Sequence, residues 1–111
     1  VITDAPLDNN GKGEAFSPTD LVATALSSCM ITLMGIAANK NGFVLGNARA
    51  EVEKIMASNP RRIQEVVVRL ELEDEGYSER QKKIIETAAI NCPVAKSLSE
   101  NLIQTVSFVY L

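Results

Sequence analysis

Histidine is missing from this chain altogether, as is tryptophan, and only two of the 111 residues are cysteine. Without histidine there is no Cys–His nucleophile pair, no histidine–carboxylate base and no ordinary transition-metal site. Two cysteines cannot hold structural zinc, and without a framework of spacings they suit a reducing compartment rather than a disulfide scaffold. Basic clusters are scarce as well. The adjacent basic pairs are Arg61-Arg62 and Lys82-Lys83 and the net charge is −3, which argues against a nucleic-acid surface. No signal-peptide pattern opens the sequence, so the expected compartment is the cytoplasm. No repeat, linker or low-complexity tract divides the chain, and residues 1–111 read as one domain large enough for a single hydrophobic core.

What is present is a long apolar segment, SPTDLVATALSSCMITLMGIAANKNG, from Ser17 to Gly42. Ser17 is a helix cap, Pro18 suits the first helical position, and Asp20 completes a capping box at the positive end of the dipole. Lys40 faces the negative pole, and Gly42 can take the left-handed conformation that closes a helix after Asn41. No charge falls between Asp20 and Lys40, and the apolar residues go all the way round the wheel, which predicts a helix buried on every side. The uncharged stretch between Asp20 and Lys40 carries four hydroxyl residues and has neither aromatic belt nor basic flank, so it reads as a core helix and not a membrane span. Thr24, Ser28 and Thr32 recur every four residues, a stripe of small side chains that lets another backbone approach.

The segment from Val1 to Phe16 reads as a short strand running into a loop, the tail of a strand whose partner lies upstream. Beyond the helix, Ala48, Ala50 and Val52 alternate with Arg49, Glu51 and Glu53, which predicts a half-buried strand over about Leu45 to Met56, with a bulge near Lys54. Ser58-Asn59-Pro60 is a turn, and Val66, Val68, Leu70 and Leu72 alternate with Glu65, Val67, Arg69, Glu71 and Glu73 in a second strand, closing an antiparallel hairpin. Ser78 and Gln81 cap a helix whose inner face is Ile84, Ile85, Ala88 and Cys92. Pro93 then starts another over Val94–Asn101, and Ile103–Leu111 alternates as a final strand. The order implies an α+β domain with helices segregated from an antiparallel sheet. One sheet cannot cover a helix that is apolar all round, so a homodimer is expected.

Of the two thiols, Cys29 lies mid-helix, too deep to feel its own helix dipole, whereas Cys92 sits at a cap with Lys96 one turn on. Free cysteine is often simply a small buried hydrophobe, and periodicity alone does not lift either residue above that reading. The flanking residues add more. The run TDAPLDNNGKGEAFSPTDLVATALSSCM, together with Asn91-Cys92-Pro93-Val94-Ala95-Lys96, resembles the OsmC/Ohr family of thiol-dependent peroxidases.

That resemblance implies an intertwined homodimer with a strongly curved antiparallel sheet, in which the cysteine matching Cys29 attacks an organic hydroperoxide and the one matching Cys92 resolves it to a disulfide. An external dithiol restores both, no cofactor is needed, and Leu26, Met30, Leu33 and Phe16 would form the apolar walls. The sequence departs from the family pattern where a glutamate should hold an arginine against the thiolate. That slot is Thr19, with Asp20 beside it. The arginine belongs to an N-terminal strand, so it lies upstream of Val1 or another cation, such as Arg49, takes its place. A non-catalytic dimer that binds a small apolar ligand, and a redox sensor switching through a Cys29–Cys92 disulfide, remain alternatives to the peroxidase, since fold does not fix activity.

Overall fold

The computed structural model describes residues Val1 to Leu111. Its elements are a short 3-10 turn at Leu7–Asn9, α1 (Pro18–Lys40), β1 (Ala48–Ala57), β2 (Arg62–Leu72), α2 (Glu79–Ile90), α3 (Pro93–Ser97) and β3 (Ile103–Tyr110). The two helix starts signalled in the sequence form as capping boxes. Ser17 Oγ accepts from the Asp20 amide at 3.1 Å while Asp20 Oδ2 accepts from the Ser17 amide at 3.0 Å, and Ser78 and Gln81 exchange the same pair of bonds. α1 closes as expected through Asn41 and a left-handed Gly42 with φ 78°.

The three strands lie in the order β1-β2-β3. β1 and β2 are antiparallel, in a register that pairs Val52 with Val68, and the register shifts between Ile55 and Met56, one residue beyond the expected bulge. β3 runs parallel to β2, pairing Val68 with Val106. The all-antiparallel expectation is thus corrected. α2 and α3 form a crossover connection that returns the chain to the same end of the sheet, which is the way a parallel neighbour is reached.

The expected N-terminal strand is absent too. Asp4 donates its amide to the Phe16 carbonyl, and its carboxylate accepts from the Lys12 and Glu14 amides, so the segment folds back on itself as a loop. Gly11 passes so close to Ala5 in this loop that a Cβ there would strike its carbonyl. α3 ends at Ser97, short of the expected Asn101, because Leu98 is already extended.

The core joins one stripe of α1 (Ala23, Leu26, Met30, Met34) to the inward row of β2 (Val66, Val68, Leu70, Leu72) and to Ile85, Ala89 and Cys92. α1 is long and apolar enough to cross a bilayer, and here it packs on α2, β1 and α3. The opposite side of α1 stays open within one chain. Ala25, Ser28, Thr32 and Ile36 on the other side are exposed.

Candidate functional site

Cys92 follows the last turn of α2 and caps α3, because Pro93 can only begin a new helix. Its sulfur accepts a hydrogen bond from the Ala95 amide at 3.4 Å, and the residue has no solvent exposure. Burial pushes the thiol's pKa up, the Ala95 amide pulls the other way, and the neighbouring Cys29 thiol raises it further. Cys29, partly buried on α1, packs against the core cluster that contains Cys92 of the α2–α3 junction, and its effect on the Cys92 thiol agrees with that placement. Both are free thiols, Cys29 half-buried and Cys92 buried. The two cysteines chosen from the sequence thus share one core.

The supporting residues fare differently. Thr19 and Asp20 meet at the first turn of α1, joined there by a residue that the sequence reading passed over. Lys54 Nζ lies 2.8 Å from Ser17 Oγ, 2.6 Å from Thr19 Oγ1 and 2.9 Å from Asp20 Oδ1. The cation expected near the family's glutamate slot is thus present, but it comes from β1 and is bound at the helix start. From Thr19 to Cys29 the helix rises about 15 Å at ~1.5 Å per residue, so Lys54 makes no contact with the thiol. Asp20 is held below its ordinary carboxyl value, first by the Ser17 amide and then by Lys54.

Within one chain Arg49 lies away from the thiol. Ala48, Ala50 and Val52 pack toward the core, so alternation turns Arg49 to the opposite face of the sheet, where its Nε donates to Glu71 Oε1 at 2.8 Å. Arg69 approaches the same carboxylate at 3.1 Å. The two guanidiniums screen Glu71 and, Arg49 foremost, hold its pKa down.

The expected apolar walls are also rearranged. Leu26 and Met30 are fully buried in the core, whereas Phe16 is 57% exposed. None of the five surface hollows touches either cysteine, so one chain does not enclose a substrate pocket at Cys29. A second residue missed in the sequence is Gln104, in phase with Val106, Phe108 and Tyr110 on the inward row of β3. Its side-chain amide donates to the Ala95 carbonyl at 3.0 Å. Both omissions had a signal, since each is a polar residue standing in an apolar register.

Fold and site together define a class: an α+β domain whose central helix carries a half-buried thiol into the same core as a buried thiol at a proline-started turn. Residues 11–106 match the OsmC-like protein family, and the chain belongs to that family. A protein from Psychrobacter arcticus named for osmotic stress induction and detoxification response is 47% identical, with a TM-score of 0.89 over 97% of this chain and 78% of that one. Two more distant structures share the fold. One is an organic hydroperoxide resistance protein of Legionella pneumophila, 20% identical, with a TM-score of 0.74 over 96% of this chain and 78% of its own. The other is a Vibrio cholerae protein named for organic hydroperoxide resistance, with captopril bound in one of its active sites. It is 19% identical, with a TM-score of 0.78 over 97% of this chain and 75% of its own. None of the curated proteins matches the chain.

Proposed function

We infer that this protein is a homodimeric thiol peroxidase that reduces organic hydroperoxides in a reducing cytoplasm, with Cys29 as the attacking residue and Cys92 as the resolving one. The observation that carries the reading is the unequal pair of thiols at one core, Cys29 half-buried and Cys92 sealed. A peroxide can approach Cys29. It cannot approach Cys92, whose role is to be waiting when Cys29 is oxidised.

In the first step the Cys29 sulfur attacks the distal oxygen of the hydroperoxide. An S–O bond forms as the O–O bond breaks, and the alkoxide leaves as an alcohol with the proton that the thiol gave up. Cys29 becomes a sulfenic acid. In the second step the Cys92 sulfur displaces that hydroxyl, giving a disulfide and water, and an external dithiol then reduces the disulfide by exchange. Thiolate is the competent nucleophile, and a positive neighbour is one way a protein favours it. Lys54, Arg49 and Arg69 are each engaged by carboxylates; in this reading the partner chain supplies the cation and closes an apolar pocket over the sulfur. Hydroperoxide resistance in the names of relatives that share the fold supports the substrate class.

The test is stoichiometric. One equivalent of cumene hydroperoxide should consume both thiols of the unaltered protein and none in Cys29→Ser. In Cys92→Ser it should stop at a sulfenic acid that dimedone traps. Thiol loss no faster than that of free cysteine would refute the peroxidase and leave a ligand-binding dimer. One oxidation per chain without turnover in the presence of dithiol would indicate a sensor instead.

A further inference from the structure

The inward row of β3 carries Gln104, Val106, Phe108 and Tyr110, in register with Val66, Val68, Leu70 and Leu72 of β2, all four of which are fully buried. An amide in such a row costs on the order of 1–3 kcal/mol unless it finds a partner. Gln104 finds one in the Ala95 carbonyl, at 3.0 Å.

Ala95 belongs to α3, a helix of 5 residues. A helix this short is not stable by itself, so its position is set by whatever ties it to the rest of the fold. Ser97 Oγ to the Pro93 carbonyl at 2.7 Å and the Ala95 amide to Cys92 Sγ at 3.4 Å are ties within the turn. Gln104 supplies the side-chain hydrogen bond that reaches α3 from another element. Ala95 is thus gripped on its carbonyl side by β3, and with its amide it grips the buried sulfur.

We propose that Gln104 is a positioning residue for Cys92, fixing Ala95 and through its amide the place of the sulfur beside Cys29. The proposal rests on the peroxidase reading for its consequence: the Cys29 sulfenic acid and the Cys92 thiol join as a disulfide with release of water, and the rate depends on how well the second sulfur is aimed. Gln104 touches neither peroxide nor sulfur, so its effect falls on the second step and spares the first.

Gln104→Met in the full chain removes the donor and keeps the volume. With one equivalent of cumene hydroperoxide, Cys29 oxidation should keep its rate within about twofold, while disulfide formation slows about tenfold or more, as misplacement of a reacting group by an ångström allows. Dimedone should then capture more sulfenic acid. Disulfide formation at the unaltered rate, or an equal slowing of both steps, overturns the proposal.

Gln104→Glu provides a rescue that a merely structural role would not give. Its ionised carboxylate has no proton to donate, and its protonated form does. The ratio of its disulfide rate to that of the unaltered protein should climb toward one as pH falls through the carboxyl titration, and a flat ratio overturns the proposal. If the unaltered protein does not react with hydroperoxide, the peroxidase reading fails, and the positioning is read separately by ultraviolet titration of Cys92 in Cys29→Ser. Adding Gln104→Met there should move thiolate formation to higher pH, and no movement overturns it.

Discussion

Lys54 is placed by strand alternation in the inward set with Ala48, Ala50 and Val52, where an ammonium group would be costly to bury alone. Its side chain keeps 18% exposure and reaches three oxygens at the start of α1, so the charge is solvated by protein in place of water. The carboxylate among those oxygens has a pKa lowered by the Ser17 amide first and by Lys54 second. A carboxyl with a depressed folded-state value contributes stability above its unfolded value, about pH 4, and loses that contribution as pH falls through the folded value. Asp20→Asn keeps an acceptor for the Ser17 amide but deletes the charge. It should cost about 0.5–1 kcal/mol at neutral pH, a figure kept small because the Asp20 side chain is 39% exposed and the pair is screened by water. Urea denaturation across a pH series checks the sign: the gap between variant and unaltered protein should close as the solution becomes acidic. A gap that persists below about pH 2 would assign the effect to capping geometry, not charge.

At the level of elements, the contact between α2 and β3 is where a second titration is built in. The Tyr110 hydroxyl donates to Glu86 Oε2 at 2.8 Å, its ring meets Tyr77 edge-on with centroids 5.9 Å apart, and Lys82 Nζ lies 4.8 Å from the ring centre. Burial raises the phenol's pKa, and the Glu86 carboxylate raises it further. The unfolded phenol loses its proton near pH 10 while the folded one keeps it, so this group's stabilisation is complete below about pH 10 and drains away above it. Tyr110→Phe should flatten the alkaline fall of the melting temperature and cost about 1 kcal/mol at neutral pH for the lost hydrogen bond. An alkaline limb as steep as that of the unaltered protein would show that other groups govern it.

Elements differ in how far they were written in the sequence, and the reason is range. The capping boxes at Ser17 and Ser78 are bonds between residues three apart, so their residue types suffice to announce them. The direction of β3 depends on where a crossover through two helices lands, which no local pattern encodes. The cysteine pair was legible because Cys29 and Cys92 each sit in a distinctive run. Strand alternation also separates the two candidate cations: Arg49, in phase with Glu51 and Glu53, falls on the wet face, and the same count places Lys54 inward. Gln104 could have been found likewise, by counting back from Val106, Phe108 and Tyr110.

The whole molecule is too extended for its length. Its radius of gyration is 15.6 Å and its extents are 48 × 28 × 22 Å, against about 13 Å for a compact chain of this size. Along α1, Ala25, Ser28, Thr32 and Ile36 form an exposed stripe of mostly small side chains on a helix with no charge between Asp20 and Lys40. Cys29 borders that stripe, half-buried and outside any hollow of the single chain. If a second copy covers the stripe about a two-fold axis, each substituted residue enters the contact twice. Thr32→Glu then sets two carboxylates into an apolar seam. Light scattering coupled to size exclusion should show a dimer for the unaltered protein and a monomer for the variant at micromolar concentration. Because the proposed pocket and its cation come with the partner, oxidation of Cys29 by cumene hydroperoxide should fall about tenfold or more in the monomer, as loss of positioning permits. Arg49→Ala, on the opposite face of the sheet, should change neither mass nor rate. A Thr32→Glu variant that stays dimeric would move the contact elsewhere on the molecule, and a monomer that reacts at the full rate would return the whole site to a single chain.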